Sequence, residues 1–220
     1  MRKIVAAAFL SLDGVMQAPG GPTEDPTGGF AFGGWTATHW DDGMGEWMGG
    51  LFTDPFDLLL GRKTYEIFAA HWPFMPAGDP IADVFNRVTK YVATRTGAPL
   101  TWANSVALTD AAADVARLKQ GDGATLLTQG SSDLLQTLMA AGLVDELRLM
   151  TFPVVLGRGK RLFGAGTAPV GLKLTQSAVS STGVTLGVYE PAGPVQIGSF
   201  QMQEPSELEN ARQERMKREG

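Results

Sequence analysis

The chain has 220 residues, of which 44% are hydrophobic, and its 18 basic and 23 acidic side chains give a net charge of −5. This acidic balance excludes a general binder of nucleic-acid backbones, and the lack of cysteine excludes disulfides, thiolate zinc sites and a cysteine nucleophile. Only His39 and His71 are available for a multi-histidine metal site, and no apolar run reaches the ~20 residues of a membrane span. We therefore expect a cytoplasmic protein without metal, nucleic-acid or membrane partners.

The first half of the chain alternates apolar runs with helical patterns. Residues 4–10 are continuously apolar, as in a strand covered on both faces. Residues 11–34 form a Gly/Pro-rich loop, which we interpret as a mobile cover because long loops within a domain are usually functional. Apolar residues at three- and four-residue spacings predict a helix over 35–51. The next predicted elements are a strand at 56–60, a helix at 65–70, a strand at 88–94 and a short strand at 100–102.

The second half continues the alternation and then changes character. We predict a helix at 111–119 capped by Thr109, a strand at 124–128, a helix at 133–141, a strand at 144–152 and a hairpin of strands at 172–180 and 184–190. Strands that alternate with helices predict a largely parallel sheet with helices on both faces, made mixed by the hairpin. We divide the chain into one domain, residues 1–192, and a charged tail, residues 193–220, that is helical or disordered.

The first corner with chemical potential follows the strand at 56–60. Open α/β sheets bind ligands beyond the carboxyl ends of their strands. Gly61 permits a tight turn there, and Arg62 and Lys63 place two positive charges at the start of a helix. Free N–H groups at a helix start and the forked guanidinium of arginine both bind phosphate. The corner predicts a phosphate site, and the alternative is a helix start with solvated basic residues.

Two further corners have similar features. After the strand at 124–128, the small residues Gly130, Ser131 and Ser132 allow close approach of the backbone to a pyrophosphate. The alternative is that one of the two serines simply caps the following helix. At the end of the strand at 88–94, Arg95 is placed to meet an adenosine phosphate. No Gly-x-Gly-x-x-Gly follows the first strand and no phosphate-loop motif is present, so the usual dinucleotide and triphosphate signatures are excluded.

Several segments resemble known reductases. Residues 59–66, Leu-Leu-Gly-Arg-Lys-Thr-Tyr-Glu, are similar to the cofactor-binding strand–turn–helix of dihydrofolate reductases. Residues 11–14 (Ser-Leu-Asp-Gly), 142–147 (Gly-Leu-Val-Asp-Glu-Leu) and 153–157 (Pro-Val-Val-Leu-Gly) resemble the reductase domain of the bifunctional riboflavin-biosynthesis deaminase–reductases. The resemblance runs in order over residues 2–190. It implies a dihydrofolate-reductase-like, three-layer α/β/α fold with a mixed, mostly parallel sheet of about eight strands, NADPH as the hydride donor, and a homodimer.

The resemblance also implies roles for individual residues. It implies that the adenosine 2′-phosphate and the pyrophosphate are held by Gly61, Arg62, Lys63 and Thr64. It implies that the adenosine is flanked by Thr94 and Arg95, and that the pyrophosphate and nicotinamide side is met by Gln129, Gly130, Ser131 and Ser132. Near the nicotinamide and the substrate it implies Asp13 and Gly14, with Leu156 and Gly157 close by.

Two departures from these families leave the substrate open. The Trp-x-x-Pro-x-Asp-like stretch that supplies the pterin carboxylate in dihydrofolate reductases is absent from residues 35–47. Riboflavin reductases usually have Glu-Gly-Gly where this chain has Gln129-Gly130-Ser131. We take Trp35, Trp40 and Asp41 as candidate substrate contacts.

The proton that accompanies a hydride needs a donor, and Asp13 is the first candidate, with a plain turn residue as the alternative. The predicted activity is an NADPH-dependent reduction of a small nitrogen heterocycle, pterin- or pyrimidine-like. The alternative is a catalytically silent nucleotide-binding or assembly protein that retains the fold.

Overall fold

The computed structural model describes residues 1–201 and 204–219 as a sheet with helices around it. The strands are β1 Ile4–Ser11, β2 Phe56–Gly61, β3 Lys90–Ala93, β4 Ser105–Leu108, β5 Thr125–Gln129, β6 Glu146–Phe152, β7 Leu172–Val179 and β8 Thr185–Pro191. The helices are α1 Asp42–Gly49, α2 Arg62–Ala69, α3 Pro80–Arg87, α4 Ala111–Gln120, α5 Ser132–Ala140 and α6 Glu207–Glu219.

The eight strands form one sheet in the order β4-β3-β2-β5-β1-β6-β8-β7. The six strands from β4 to β6 run parallel to their neighbours. Strand β8 is antiparallel to both β6 and β7. The predicted mixed, mostly parallel sheet in a three-layer α/β/α fold is therefore confirmed.

The core lies on both faces of this sheet. Along β1, Ile4 belongs to a buried cluster with Leu135 of α5, whereas the next residue, Val5, belongs to a second cluster with Phe85 of α3. Neighbouring side chains of a strand point to opposite faces, so both faces of β1 must be covered. Each buried aliphatic or aromatic side chain contributes about 1.5–3 kcal/mol. This double burial explains why the first strand is apolar throughout.

Two predicted elements differ from the structure. The predicted helix over 35–51 is reduced to α1, because Asp41 caps its start by accepting a hydrogen bond from Met44 N and Trp40 before it has an extended backbone. The predicted short strand at 100–102 is wrong, since β4 lies further along the chain. Trp102 instead packs into the core, with its backbone N–H donating to the hydroxyl of Tyr65 at 2.8 Å.

Two helix starts also differ from the predictions. Helix α3 was missed, although Asp79 before Pro80 is the expected signal of a cap followed by proline in the first turn. Helix α4 is capped by Asp110, whose carboxylate accepts from Ala113 N, and not by Thr109. Aspartate and threonine are both good caps, so residue type alone did not separate the two neighbours.

Helix α6 falls within the predicted charged tail, residues 193–220, of which residues 202, 203 and 220 lie outside the described part of the chain. None of the α6 residues is buried, and the helix is dense in charge, with three ion pairs between residues on its own surface. None of the helices in residues 1–201 and 204–219 combines the length and the apolar character that a membrane crossing requires.

The long loop after β1 is a folded wall rather than a loose cover. The buried side chain of Gln17 donates to the carbonyls of Asp25 and Thr27, both at 2.9 Å, and accepts from Lys160 N at 3.0 Å. An ion pair joins Lys160 to Asp25. Thr36 donates its hydroxyl to the Pro19 carbonyl at 2.8 Å. These bonds link the loop to itself and to the segment after β6, so the interpretation as a mobile cover has no support.

The sheet topology opens a crevice at one edge. Strands β2 and β5 are parallel neighbours, so their carboxyl ends lie at the same edge. Tyr65 of α2 packs into the core on one face of the sheet, whereas Leu135 of α5 packs into the core on the other. The chain therefore leaves β2 and β5 towards opposite faces, which is the arrangement that creates a ligand crevice in open α/β sheets.

Candidate functional site

A cavity of about 1700 Å³ lies at the carboxyl ends of β1, β2, β3 and β5. Its walls also include the starts of α2 and α5, the loop after β1 and the segment between α2 and α3. Pockets for a single small molecule usually measure about 300–1,000 Å³. This cavity therefore has room for a large cofactor together with a second small molecule.

Most of the predicted site residues share this cavity. The residues that line it are Gly61, Arg62, Lys63, Thr64, Thr94, Arg95, Gln129, Gly130, Ser131, Ser132 and Trp40. The first two corners touch each other directly. A Cβ placed on Gly61 would lie 1.9 Å from the Ser131 hydroxyl oxygen. Glycine is thus required at position 61 because the α5 corner fills the space where a side chain would be.

The two helices that begin at these corners lack side-chain caps. Gly61 occupies the cap position of α2 and has no side chain to accept from the first-turn N–H groups. Ser131 occupies the cap position of α5 in the left-handed region, with φ 73°, and its hydroxyl makes no capping bond. The alternative of a simple serine cap is therefore wrong for Ser131. Uncapped N–H groups of this kind bind anions.

Basic side chains surround the same corner. The Arg62 guanidinium is held by Glu66 Oε1 at 2.6 Å and by the Ala98 carbonyl at 3.0 Å. Lys63 and Arg95 are exposed, and neither forms an ion pair within residues 1–201 and 204–219. Positive charges near a helix N-terminus oppose the helix dipole. A bound anion offsets this unfavourable arrangement, so the electrostatics of the corner favour a phosphate ligand.

Two other predicted residues contribute in different ways. Thr94 is buried, and its hydroxyl accepts from Thr96 N at 3.2 Å, so it shapes the turn that presents Arg95. The Gln129 side-chain nitrogen Nε2 is buried and has no acceptor among the described residues. Because an unpaired buried amide is costly, a polar ligand group in the cavity would stabilise this corner.

Asp13 lies outside the cavity wall and has a structural task. Its carboxylate accepts hydrogen bonds from Leu156 N at 3.0 Å, Gly157 N at 2.9 Å and the Ser11 hydroxyl at 2.7 Å, and it pairs with Arg161. These bonds, led by that from Leu156, hold the pKa of Asp13 well below its ordinary value. A carboxylate that keeps no proton at neutral pH is a poor proton donor, so the predicted catalytic role of Asp13 has no support here.

The residues predicted around Asp13 are separated from the cavity in the same way. Gly14, with φ 78°, forms the turn that returns the chain to Val15, and its carbonyl accepts from Leu162 N at 3.1 Å. Leu156 and Gly157 present their backbone N–H groups to Asp13. The cavity wall contains none of these residues among the described part of the chain. Leu156 and Gly157 lie beside Asp13, and their predicted place near the nicotinamide stays a prediction.

The three predicted substrate residues divide in the structure. Trp35 is buried in a core cluster and donates its indole N–H to the Gln17 carbonyl at 2.8 Å. Asp41 accepts from the Ser181 hydroxyl at 2.7 Å and, as the cap of α1, from Met44 N at 2.9 Å, and these bonds lower its pKa. Only Trp40 lines the cavity, with 46% of its surface exposed. Trp35 and Asp41 are therefore structural residues.

Sequence reasoning missed a second group of residues in the cavity wall. Glu24, His71 and Trp72 all line the cavity, although none lies at the end of a strand. The Glu24 carboxylate accepts from Gly20 N at 2.6 Å and Gly21 N at 3.1 Å. Neither the partly apolar stretch 71–74 nor a single glutamate in a Gly/Pro-rich loop is a sequence pattern that predicts a place in a cavity wall. The available signal was the short spacing between Gly20, Gly21 and Glu24, which allows the glutamate to accept hydrogen bonds from the glycine N–H groups.

The fold and this cavity define the class of dihydrofolate-reductase-like α/β proteins, and comparisons with known proteins agree. The chain belongs to the RibD C-terminal domain family, whose model matches residues 2–186. Two solved structures share the fold. A putative riboflavin biosynthesis protein from Shewanella sp. PV-4 is 20% identical, with a TM-score of 0.55 over 86% of this chain and 99% of that one. Dihydrofolate reductase from Enterococcus faecalis, complexed with NADP(H) and RAB-propyl, is 15% identical, with a TM-score of 0.53 over 86% and 96%.

Two proteins of Bacillus subtilis (strain 168) are similar in sequence. The uncharacterized protein YyaP is 27% identical over 191 residues, which cover 86% of this chain and 94% of YyaP. The uncharacterized protein YwjB is 32% identical over 124 residues, or 53% of this chain and 63% of YwjB. The nearly full coverage of YyaP indicates a relative of similar size and architecture.

Proposed function

We propose that this protein is an NADPH-dependent reductase that transfers a hydride to a small nitrogen heterocycle, pterin- or pyrimidine-like, related to the substrate of 5-amino-6-(5-phosphoribosylamino)uracil reductase. The observation that carries the proposal is the convergence of two uncapped helix starts in one cavity, beside Arg62, Lys63 and Arg95. Family membership as a reductase relative supports the same reaction class.

The residues present fit a phosphorylated dinucleotide. The uncapped N–H groups in the first turns of α2 and α5, which follow Gly61 and Ser131, suit a pyrophosphate. Lys63 and Arg95 are exposed cations that suit a 2′-phosphate. The buried, unpaired Nε2 of Gln129 calls for an acceptor from a ligand. Arg62 is already oriented by Glu66, so less side-chain entropy is lost when it binds a phosphate.

The protein orients the two reactants and excludes water from them, and it takes no covalent part in the reaction. When bound, NADPH supplies a hydride. The carboxyl end of β1, from Ala7 to Phe9, and Met16 form an apolar floor that excludes water from the reacting atoms. Trp40 offers a flat face to a heteroaromatic ring. Holding two reactants in near-attack geometry accounts for much of the acceleration that such a reaction needs.

The alternative is a catalytically silent nucleotide-binding protein that retains the fold. It is favoured by Gln129 and Ser131, which stand where the related riboflavin reductases usually carry a glutamate and a glycine. It shares the cavity and the phosphate corner with the leading proposal. A homodimer and a cytoplasmic location also remain predictions.

A calorimetric titration with NADPH and NADH tests the proposal. We expect NADPH to bind at least tenfold more tightly than NADH, because only NADPH carries the 2′-phosphate. Arg62→Ala and Lys63→Ala should each weaken NADPH by roughly tenfold and NADH by much less. The matched control is Lys173→Ala, which removes an exposed cation on β7, remote from the cavity wall.

The outcomes separate the two readings of the site. Equal losses for NADPH and NADH in Arg62→Ala would contradict the 2′-phosphate contact. Absence of NADPH binding would remove the reductase proposal altogether. Tight binding together with no oxidation of NADPH by any pterin or pyrimidine would favour the silent binding protein.

A further inference from the structure

Among the described residues, the cavity contains one half-buried carboxylate that the phosphate corner does not use and that forms no ion pair or helix cap. Five acidic residues line the wall. Glu66 pairs with Arg62, Asp25 pairs with Lys160, Asp110 caps α4, and Asp133 is exposed in the first turn of α5. Glu24 is half-buried, and no cationic side chain bonds it within residues 1–201 and 204–219. It is therefore the acidic group whose presence in the cavity still needs an explanation.

The two oxygens of Glu24 differ. Oε2 accepts both backbone bonds, from Gly20 N and Gly21 N. Oε1 accepts no hydrogen bond from the described residues, and the Glu24 residue lines the cavity. The carboxyl group is thus fixed in orientation by one oxygen, and the other oxygen forms no hydrogen bond with the described residues.

The surroundings favour the protonated form of this group. Burial raises the pKa of Glu24 above its ordinary value, and the negative charge of Asp25 adds to this effect. The two backbone bonds and the charge of His71 act in the opposite direction, while Lys160 is occupied by Asp25. Apolar and aromatic side chains, including Trp40, Phe68 and Trp72, line the same cavity and limit hydration.

Reduction of a nitrogen heterocycle needs such an acid. When a hydride adds to the carbon of a C=N bond, a C–H bond forms and the π electron pair moves to nitrogen. That nitrogen must then take a proton. A carboxylic acid held beside the ring gives its proton to nitrogen and becomes a carboxylate, which regains a proton from solvent.

We propose that Glu24 is this proton donor and that the substrate is a flat heterocycle with a reducible C=N bond, held so that its nitrogen faces Glu24 Oε1. The inference rests on the proposed reductase function and replaces Asp13, whose carboxylate is committed to backbone N–H groups. It assigns the hydride side of the reaction to the corner at Gln129 and the proton side to the loop at Gly20–Glu24.

The test compares Glu24→Gln with Glu24→Asp and with Glu46→Gln, an exposed glutamate on α1 that undergoes the same chemical change. The probes are 7,8-dihydrofolate and 6-methyl-7,8-dihydropterin, both of which have a C=N bond. The rate of their reduction is measured from the oxidation of NADPH. Glu24→Gln should lower kcat by roughly a hundredfold and leave KM and NADPH affinity within about a factor of two. Glu24→Asp should regain part of kcat, and Glu46→Gln should match the wild type.

The pH profile gives a second readout. The wild-type rate should fall as the pH rises through the Glu24 pKa, and His71→Gln should move that fall to higher pH because it removes the opposing charge. Glu24→Gln should lose this limb of the profile. A Glu24→Gln enzyme with unchanged kcat, or one in which only KM rises, would overturn the donor role.

A readout without turnover keeps this inference separate from the proposed function. NMR of protein labelled at the glutamate carboxyl carbons shows one signal for each glutamate, and the signal that Glu24→Gln lacks belongs to Glu24. In the wild type this signal should titrate above the ordinary range of glutamate. Titration in the ordinary range would overturn the inference even if NADPH binds. Failure of NADPH to bind would instead overturn the proposed function, and unchanged NADPH affinity in Glu24→Gln shows that the variant is folded.

Discussion

The starts of the five helices α1 to α5 fall into two groups. Helices α1, α3 and α4 begin with Asp41, Asp79 and Asp110, and each carboxylate accepts at least one first-turn N–H group. Helices α2 and α5 begin with Gly61 and Ser131, and neither side chain accepts one. Helix α4 also borders the cavity. Proximity to the cavity therefore does not explain the difference.

The comparison indicates where the chain gives up stability for binding. A helix cap contributes about 1 kcal/mol, and α2 and α5 lack one at the corner where we propose that a pyrophosphate binds. At α4 the Asp110 carboxylate accepts from Ala113 N and would repel a phosphate. The cavity wall of the described residues thus includes two helix starts without a side-chain cap and one with a cap, and the proposed pyrophosphate site lies at the two without.

The largest expected effect comes from placing a side chain between the two uncapped corners, which are in direct contact. In Gly61→Ala the new Cβ would meet the Ser131 hydroxyl oxygen at 1.9 Å and the Ser131 Cβ at 2.9 Å. We expect unfolding free energy to fall by about 3 kcal/mol because the corner must shift, and NADPH affinity to fall by roughly tenfold or more. Thermal unfolding and calorimetry measure the two effects.

A double variant sharpens the same prediction. Adding Ser131→Gly removes both clashing atoms and places glycine at a left-handed position, which favours it. Gly61→Ala/Ser131→Gly should therefore recover most of the lost stability, a strong coupling in a double-mutant cycle. The control is Gly45→Ala in α1, where a Cβ meets nothing within 4 Å. Additive effects of the two substitutions would contradict direct contact between the corners.

The place of the Gly61–Lys63 corner in a cavity could be predicted from sequence because its signals are local, whereas its binding of phosphate stays a prediction. Gly61, Arg62 and Lys63 follow directly after an apolar strand, and parallel strands bring such corners to one edge of the sheet. The overall order of strands and helices follows from hydrophobic patterns for the same reason. The resemblance to reductases then linked the separate corners into a single expected site.

The position of Glu24 in the cavity could not be predicted because it depends on contacts between distant parts of the chain. Glu24 reaches the cavity since Gln17 and Lys160 fold the loop, and these residues are 143 positions apart in sequence. Asp13 was assigned to catalysis because the resemblance implied a place near the nicotinamide, whereas its carboxylate accepts hydrogen bonds from the distant Leu156 and Gly157. Neither outcome is visible in a local pattern.

Asp13 offers an intermediate test, since it is a carboxylate that satisfies backbone N–H groups as the helix caps do. Asp13→Asn should lower the unfolding free energy by about 2 kcal/mol because an amide cannot accept all these bonds. Its stabilising effect should be present above the ordinary aspartate pKa and be lost at lower pH, because the pKa of folded Asp13 is depressed. The difference between wild type and variant in denaturant unfolding should therefore shrink below about pH 4.

Asp13→Asn also separates structure from catalysis. We expect the pH dependence of reduction to keep its shape in this variant, because the carboxylate holds no proton to donate near neutral pH. Loss of the limb of the profile that we assign to Glu24 would restore Asp13 as the acid. Such a result would also place the reacting atoms on the other side of the β1 loop.

The smallest effects test the two groups of helix starts directly. Asp79→Ala removes a carboxylate that accepts from Ile81 N at 3.1 Å and Ala82 N at 2.9 Å, so unfolding free energy should fall by about 1 kcal/mol. Ser131→Ala removes a hydroxyl that caps nothing, so stability should change by less than about 0.5 kcal/mol. NADPH affinity should respond in the opposite order, with no change for Asp79→Ala and a roughly threefold loss for Ser131→Ala. If Ser131→Ala destabilises the protein as much as Asp79→Ala, the hydroxyl acts as a cap in solution, and α5 moves into the group of helices whose first turn serves the fold alone.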